Sequence, residues 1–279
     1  MKIGQYICDS IEMGAFVLDG GAMFGVVPKV LWEKKIPPDS KNRIPMSARV
    51  LLLQGKERNI LVDTGMGSKF LEKERGIYGI RDIVDIDSKL STFGLKSSEI
   101  TDVILTHLHF DHAGGATKIV ENKIVPTFEN ATYYVQKEHL EYALSPTSRD
   151  RASFIQDNFV PLMEHKVLKT LDGPTILFDD IEIIISNGHT HYQQHPLIKE
   201  EGRALFFCGD IFPTASHLPV NWHMGYDNNP TIILKEKASF LQRALLENWI
   251  MLFEHDPKIP AATLKKEKNR IVLNQIVEI

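Results

Sequence analysis

The chain has 279 residues, with 32 Lys and Arg against 36 Asp and Glu, for a formal charge of −4. Its 43% hydrophobic and 24% charged residues describe an ordinary globular chain with a sizeable core, which excludes disorder and low complexity. No apolar run approaches the roughly 18 to 20 residues of a membrane span, no signal-peptide core follows Met1, and mild acidity disfavours a nucleic-acid binder, so a soluble cytoplasmic protein is expected.

In chain order, the first clear pairing is a hairpin of 50–53 with 60–63 through the polar, Gly-containing loop 54–59. Further strands are expected at 103–106, 132–136, 181–186, 204–208, 250–253 and 271–277. Helices are expected at 137–144 and 149–158. The best one covers 231–249, where Leu234, Ala238, Leu241, Leu245 and Trp249 recur at spacings of four, three, four and four. No repeat or linker divides the chain, so it reads as one domain over 1–279.

Four expected strands run directly into a side chain able to ligate a metal or carry a proton: Asp63, His107, Asp210 and His255. Strand ends converge on one edge of a sheet, and a rigid sheet holds such groups within the tolerances a metal site demands. The stretch Thr106-His107-Leu108-His109-Phe110-Asp111-His112-Ala113-Gly114-Gly115 is the densest of these sites. In an extended segment residues two apart share a side, so His107 and His109 can chelate one ion. Asp111 and His112 follow where the chain turns, and the glycines permit that turn. Imidazole with carboxylate suits zinc and tolerates iron, cobalt or manganese. The two cysteines, Cys8 and Cys208, lie too far apart for a Cys-rich zinc module, and Cys208 beside Phe206 and Phe207 reads as a buried, inert thiol. No Gly-x-Ser-x-Gly elbow, P-loop or Gly-x-Gly-x-x-Gly turn offers other chemistry.

His107-x-His109-x-Asp111-His112 resembles the signature of the metallo-β-lactamase-fold hydrolases. Asp63 in Leu61-Val62-Asp63-Thr64-Gly65 is similar to that family's first motif, Gly188-His189-Thr190 to its third, Cys208-Gly209-Asp210 to its fourth and Phe253-Glu254-His255-Asp256 to its fifth. The resemblance implies an α/β (α+β) four-layer αβ/βα sandwich. It also implies two divalent ions, zinc favoured over Mn, Fe or Co. His107, His109 and His189 would hold one, Asp111, His112 and His255 the other, with Asp210 bridging them and Asp63 fixing the ligand loop by hydrogen bonds. The third motif departs from the family pattern by reading His189-Thr190-His191, which leaves His191 as a rival of His189. His191, His195, His217 and His223 are otherwise assigned to structural or pocket-lining roles.

Such an ion pair, about 3.5 to 4 Å apart, lowers the pKa of a shared water toward neutrality, so that it attacks a carbonyl or phosphoryl centre. Asp111, or another carboxylate of the metal-binding set, is then the expected proton donor to the leaving alkoxide. Two segments, 19–32 and 217–230, are similar to the branch containing N-acyl homoserine lactonases and methyl parathion hydrolase. Both are glycine-interrupted and aromatic, as the apolar wall of a small-molecule pocket requires, with Phe24, Trp32, Phe212, Trp222 and Met224 as substrate contacts. The expected activity is hydrolysis of a lactone or related ester, acyl homoserine lactones first. Phosphotriester, phosphodiester and thioester hydrolysis are the alternatives, followed by a metal-dependent binding protein without turnover. The Pro-rich segment 33–47 is expected to be a dimer arm or a substrate lid, and the resemblance implies a homodimer.

Overall fold

The computed structural model describes residues 1–279. Two seven-stranded sheets form the frame, and each is built from one contiguous half of the chain. The first contains Lys2–Ile3, Tyr6–Asp19, Arg43–Gln54, Asn59–Val62, Asp102–Ile104, Thr132–Gln136 and Leu168–Leu171 as consecutive neighbours. The second runs likewise through Thr175–Leu177, Ile181–Ser186, Gln193–Glu200, Arg203–Phe207, Trp249–Leu252, Ala261–Glu267 and Arg270–Val277.

Period-two side-chain alternation explains the layering, because every central strand buries both faces. Leu51, Leu53, Ile60 and Val62 meet Ile183, Ile198, Leu205, Phe207, Ile250 and Leu252 between the sheets. Their neighbours Val50, Leu52 and Leu61 pack on the other face with Leu90, Leu140 and Leu162 from helices. On the far side, Phe206, Trp249 and Met251 pack against Ile233, Phe240, Leu241 and Ala244 of helix Pro230–Leu246. Helix, sheet, sheet and helix therefore stack as four layers, and each fully buried Leu or Phe contributes about 1.5–3 kcal/mol.

Parallel pairing aligns the strand ends that matter. Val62 pairs with Ile104 in the first sheet and Phe207 with Leu252 in the second. The two sheets are stitched beside these ends, where Gln194 Nε2 donates to Leu105 O at 2.7 Å and Tyr134 O at 3.1 Å.

The expected 231–249 helix ends at Leu246, since Asn248 adopts a left-handed conformation (φ 53°) and Trp249 already belongs to a strand. No helix spans 149–158; two short 3₁₀ turns, Arg151–Ser153 and Gln156–Asn158, stand there. Arg149 and Asp150 spend their side chains on tertiary hydrogen bonds instead. Segment 33–47 is neither lid nor free arm along its length: Ile36 and Ile44 are buried, strand Arg43–Gln54 begins within it, and it contributes no lining residue to the site cavity.

Candidate metal centre

Beyond Ile104 the strand ends and the backbone bends at Thr106 and His109, and His109, itself extended, stands at the N-cap of helix Phe110–Ala113. The buried carboxylate of Asp63 fixes the start of this segment, accepting from Thr106 N and Thr106 Oγ1, both at 2.6 Å, and standing 3.0 Å from His112 Nδ1. Thr64 N and Oγ1 both donate to His112 O, at 2.8 and 2.9 Å. The ligand turn thus leans on segment 63–69 so closely that a Cβ at Gly114 would lie 2.0 Å from Met66 O. Only glycine fits that approach.

Seven side chains from both sheets converge here. His109 Nδ1 lies 3.1 Å from His107 Nε2 and 3.2 Å from His189 Nε2, and His189 Nε2 lies 3.1 Å from Asp210 Oδ2. On the other side, His255 Nε2 is 3.1 Å from His112 Nε2, 3.7 Å from Asp111 Oδ2 and 3.2 Å from Asp210 Oδ1. Two ligands bonded at about 2.0–2.1 Å and tetrahedrally disposed lie roughly 3.4 Å apart, so both groups have the spacing of a coordination shell. Asp210 stands between the groups, its Oδ2 also 3.6 Å from His112 Nε2. All seven are at least nine-tenths buried.

The remaining ring nitrogens decide which lone pairs face inward. His255 Nδ1 donates to Ser47 O at 2.8 Å, His189 Nδ1 meets Asp227 Oδ1 at 3.0 Å, and His107 Nδ1 meets Thr106 Oγ1 at 3.0 Å. Four imidazoles, His107, His189, His112 and His255, consequently aim Nε2 at the centre, and His109 aims Nδ1. Nitrogens facing nitrogens at 3.1 Å repel unless a cation or proton lies between them. Five buried carboxylates, Asp63, Asp111, Asp210, Asp227 and Glu254, surround the same space, and their ion-pair partners are imidazoles alone. Burial of so much negative charge calls for compensating cations. Donor types, spacing and charge all fit a pair of divalent ions.

In the chain alone, burial and the neighbouring imidazoles push His107 and His109 well below the usual histidine range. Burial also lowers His255, but the Asp210 carboxylate outweighs it and lifts that ring to about 9. His112 rises for the same reason, with Glu254, Asp210 and Asp111 overcoming burial.

His189, not His191, joins the cluster; His191 is exposed, and its carbonyl accepts from His139 Nδ1 at 2.6 Å. His195 bonds to Ser186 Oγ at 2.8 Å, and His217 bonds to Thr214 and Met23 O. The proposed substrate wall needs correction. Phe24, Trp32 and Phe212 are wholly buried in the core, Phe24 stacking on Trp32 and on His217, and Trp222 packs edge-on against Phe24. Of the five expected contacts, Met224 alone lines the cavity. That cavity, ≈ 290 Å³, has Leu18, Met23, Tyr78, Phe110 and Tyr226 as further walls over a floor of His109, Asp111, His189, Asp210 and His255. Asp227 and Glu254 were not expected at the site. Glu254 stood visibly beside His255 in the sequence, whereas nothing local marks Asp227.

Fold and site together define a metal-dependent hydrolase. Residues 43–255 match the model of the Metallo-beta-lactamase superfamily, and the chain belongs to that superfamily. It is 24% identical over 220 residues to an N-acyl homoserine lactonase of Bacillus cereus, covering 74% of this chain and 79% of that protein. A probable metal-dependent hydrolase from Staphylococcus aureus superposes with TM-score 0.90 at 28% identity, covering 99% of this chain and 100% of the other. AidC, a dizinc quorum-quenching lactonase in complex with a product, superposes with TM-score 0.82 at 19% identity, covering 100% and 97%, a likeness of fold. No helix is long and apolar enough to cross a membrane.

Proposed function

We propose that this chain acts as one domain that hydrolyses a lactone or related ester, N-acyl homoserine lactones foremost, with two divalent ions, zinc favoured. His107, His109 and His189 would hold one ion, Asp111, His112 and His255 the other, and Asp210 both. The observation that carries the reading is the convergence of those seven side chains at ligand spacing around the two oxygens of Asp210. When bound, such a pair lowers the pKa of a water and polarises a carbonyl oxygen.

The chain's own residues supply the rest. Asp111 keeps the widest separations in its group, Oδ2 3.7 Å from His255 and Oδ1 3.9 Å from His112, and lines the cavity, where its carboxylate would take the proton released by the attacking water and pass it to the leaving alkoxide. Leu18, Met23, Phe110 and Met224 exclude water above the floor and receive an acyl chain. Tyr226, raised to about 12 chiefly by burial, stays a protonated donor in that wall.

Elemental analysis and a spectrophotometric panel of lactone, aryl ester, thioester and phosphotriester substrates test the reading. Two ions per chain and preferential lactone turnover are expected, with Asp111→Asn cutting turnover severely while both ions remain. Fewer than one ion per chain, or two ions with no turnover on the panel, would overturn it.

A further inference from the structure

Segment 217–230 was expected to help form the substrate wall, yet Asp227, Asn228 and Asn229 within it bond to the loop that carries His189. Asp227 is completely buried. Its Oδ1 lies 3.0 Å from His189 Nδ1, and its Oδ2 accepts from Met224 N at 2.8 Å. The adjoining backbone grips the ligand loop as well: Asn228 N donates to His189 O at 3.0 Å, Asn229 N to Gly188 O at 2.8 Å, and Asn229 Nδ2 to Asn187 O at 3.0 Å. His189 needs this grip. It lies beyond the end of strand Ile181–Ser186, in a stretch without ladder hydrogen bonds of its own.

The gripping segment is itself held from 147–150. Arg149 Nη2 donates to Gly225 O at 2.7 Å and Asp227 O at 2.8 Å, while Arg149 Nε donates to Asn228 Oδ1 at 3.0 Å. Asn228 Nδ2 completes the clasp by donating to Asp150 Oδ2 at 2.7 Å. Asp150 is anchored in turn by the hydroxyls of Tyr142 and Thr147. These tertiary bonds also account for the missing helix over 149–158.

We propose that Asp227 is a positioning residue that fixes the ring and tautomer of His189, keeping Nε2 toward Asp210, and that Arg149 and Asp150, through Asn228, hold Asp227 in place. An imidazole ring rotated about its Cβ–Cγ bond offers the wrong nitrogen or none; a buried carboxylate on Nδ1–H removes that freedom and makes Nε2 a better donor. The inference rests on the two-ion reading but not on the substrate assigned to it.

Its test is metal retention, followed by competition with a chromogenic chelator on zinc-loaded protein. Asp227→Ala should keep one ion at wild-type affinity and hold the other about 10- to 100-fold more weakly. Asp227→Asn, whose Oδ1 still accepts from His189 Nδ1–H but whose Nδ2 then faces the Met224 N–H, should recover only part of that loss. Arg149→Met should weaken the same ion by a smaller factor, and amide exchange across 224–229 should accelerate in that variant. In ¹⁵N-labelled protein the His189 Nδ1–H signal should be protected in wild type and exchange rapidly in Asp227→Ala. Both ions retained at wild-type affinity in a folded Asp227→Ala protein would overturn the proposal. If Asp227→Ala does not fold, wild-type affinity for both ions together with unchanged amide exchange across 224–229 in Arg149→Met would overturn it equally. Wild type that binds no ion would instead sink the two-ion reading, whatever the variants do.

Discussion

Asp63 Oδ2 and Glu254 Oε2 each lie 3.0 Å from one nitrogen, His112 Nδ1, but its hydrogen bond goes to Asp63, and both oxygens of the fully buried Glu254 are left without a hydrogen bond. Asp63 has two further donors in Thr106, whereas Glu254 has no other partner. Burial, opposed by His112, raises Glu254 to about 8. Without ions the chain therefore carries protons near neutrality on His112 and on His255, at about 9, which the proposed ions would need bare. The sign follows: a ring whose pKa is raised holds its proton below about 9, a cation must displace it, and apparent affinity climbs with pH until that value is passed. Calorimetric titration with zinc at pH 7 should show an enthalpy that scales with buffer ionisation, reporting proton release. An enthalpy independent of the buffer contradicts this account. At this scale the convergence of His107, His109, Asp210 and His255 was legible, because imidazoles two residues apart and side chains at strand ends can reach one another. Asp227 was not, since its contact with His189 spans 38 residues and depends on two loops meeting.

Secondary elements set the tolerance of the site. Helix Phe110–Ala113 has a single turn, and its stability comes from segment 63–69, whose Lys69 Nζ donates to Gly114 O at 2.5 Å and Thr117 O at 2.7 Å. Gly114→Ala would drive a Cβ to within 2.0 Å of Met66 O and 2.4 Å of Met66 C, both backbone. Overpacking of this kind costs about 1–3 kcal/mol. Thermal denaturation should show a clear drop in Tm, accompanied by weaker metal retention because His112 moves with the turn. Gly76→Ala, where a Cβ meets nothing within 4 Å inside helix Glu72–Tyr78, should leave Tm unchanged or raise it. Equal effects of the two substitutions would count against the clamp. The apolar runs at 60–62, 204–207 and 250–252 were readable as strands because both of their faces are buried. Gln193–Glu200 was not, since Gln193, Gln194 and His195 are buried polar residues and Pro196 interrupts the run, which hides a strand held by its neighbours.

At the scale of the molecule, the four layers were implied by the family resemblance of the motifs, and the core clusters show why the order of elements produces them. Under the proposed two-ion reading, ions held by side chains of both sheets would add their binding free energy to folding. An ion at 1,000 times its dissociation constant contributes about 4 kcal/mol. At about 2–4 °C per kcal/mol, stripping both with a chelator should lower Tm by on the order of 10 °C or more. Calorimetric scans with and without chelator would test this, and superimposable transitions would contradict it.

One feature of the architecture reaches further. The first sheet and His107, His109, Asp111 and His112 come from residues up to 171, while the second sheet and His189, Asp210 and His255 come from residues after 174. The two halves meet at the connection 172–174, where Asp172 and Pro174 are exposed. Cutting the chain there would divide the donor set between two polypeptides, neither holding enough of it to coordinate both ions. Because the two sheets also share an apolar core, the pieces would associate through that core, and the proposed ions would tighten the pairing rather than be required for it.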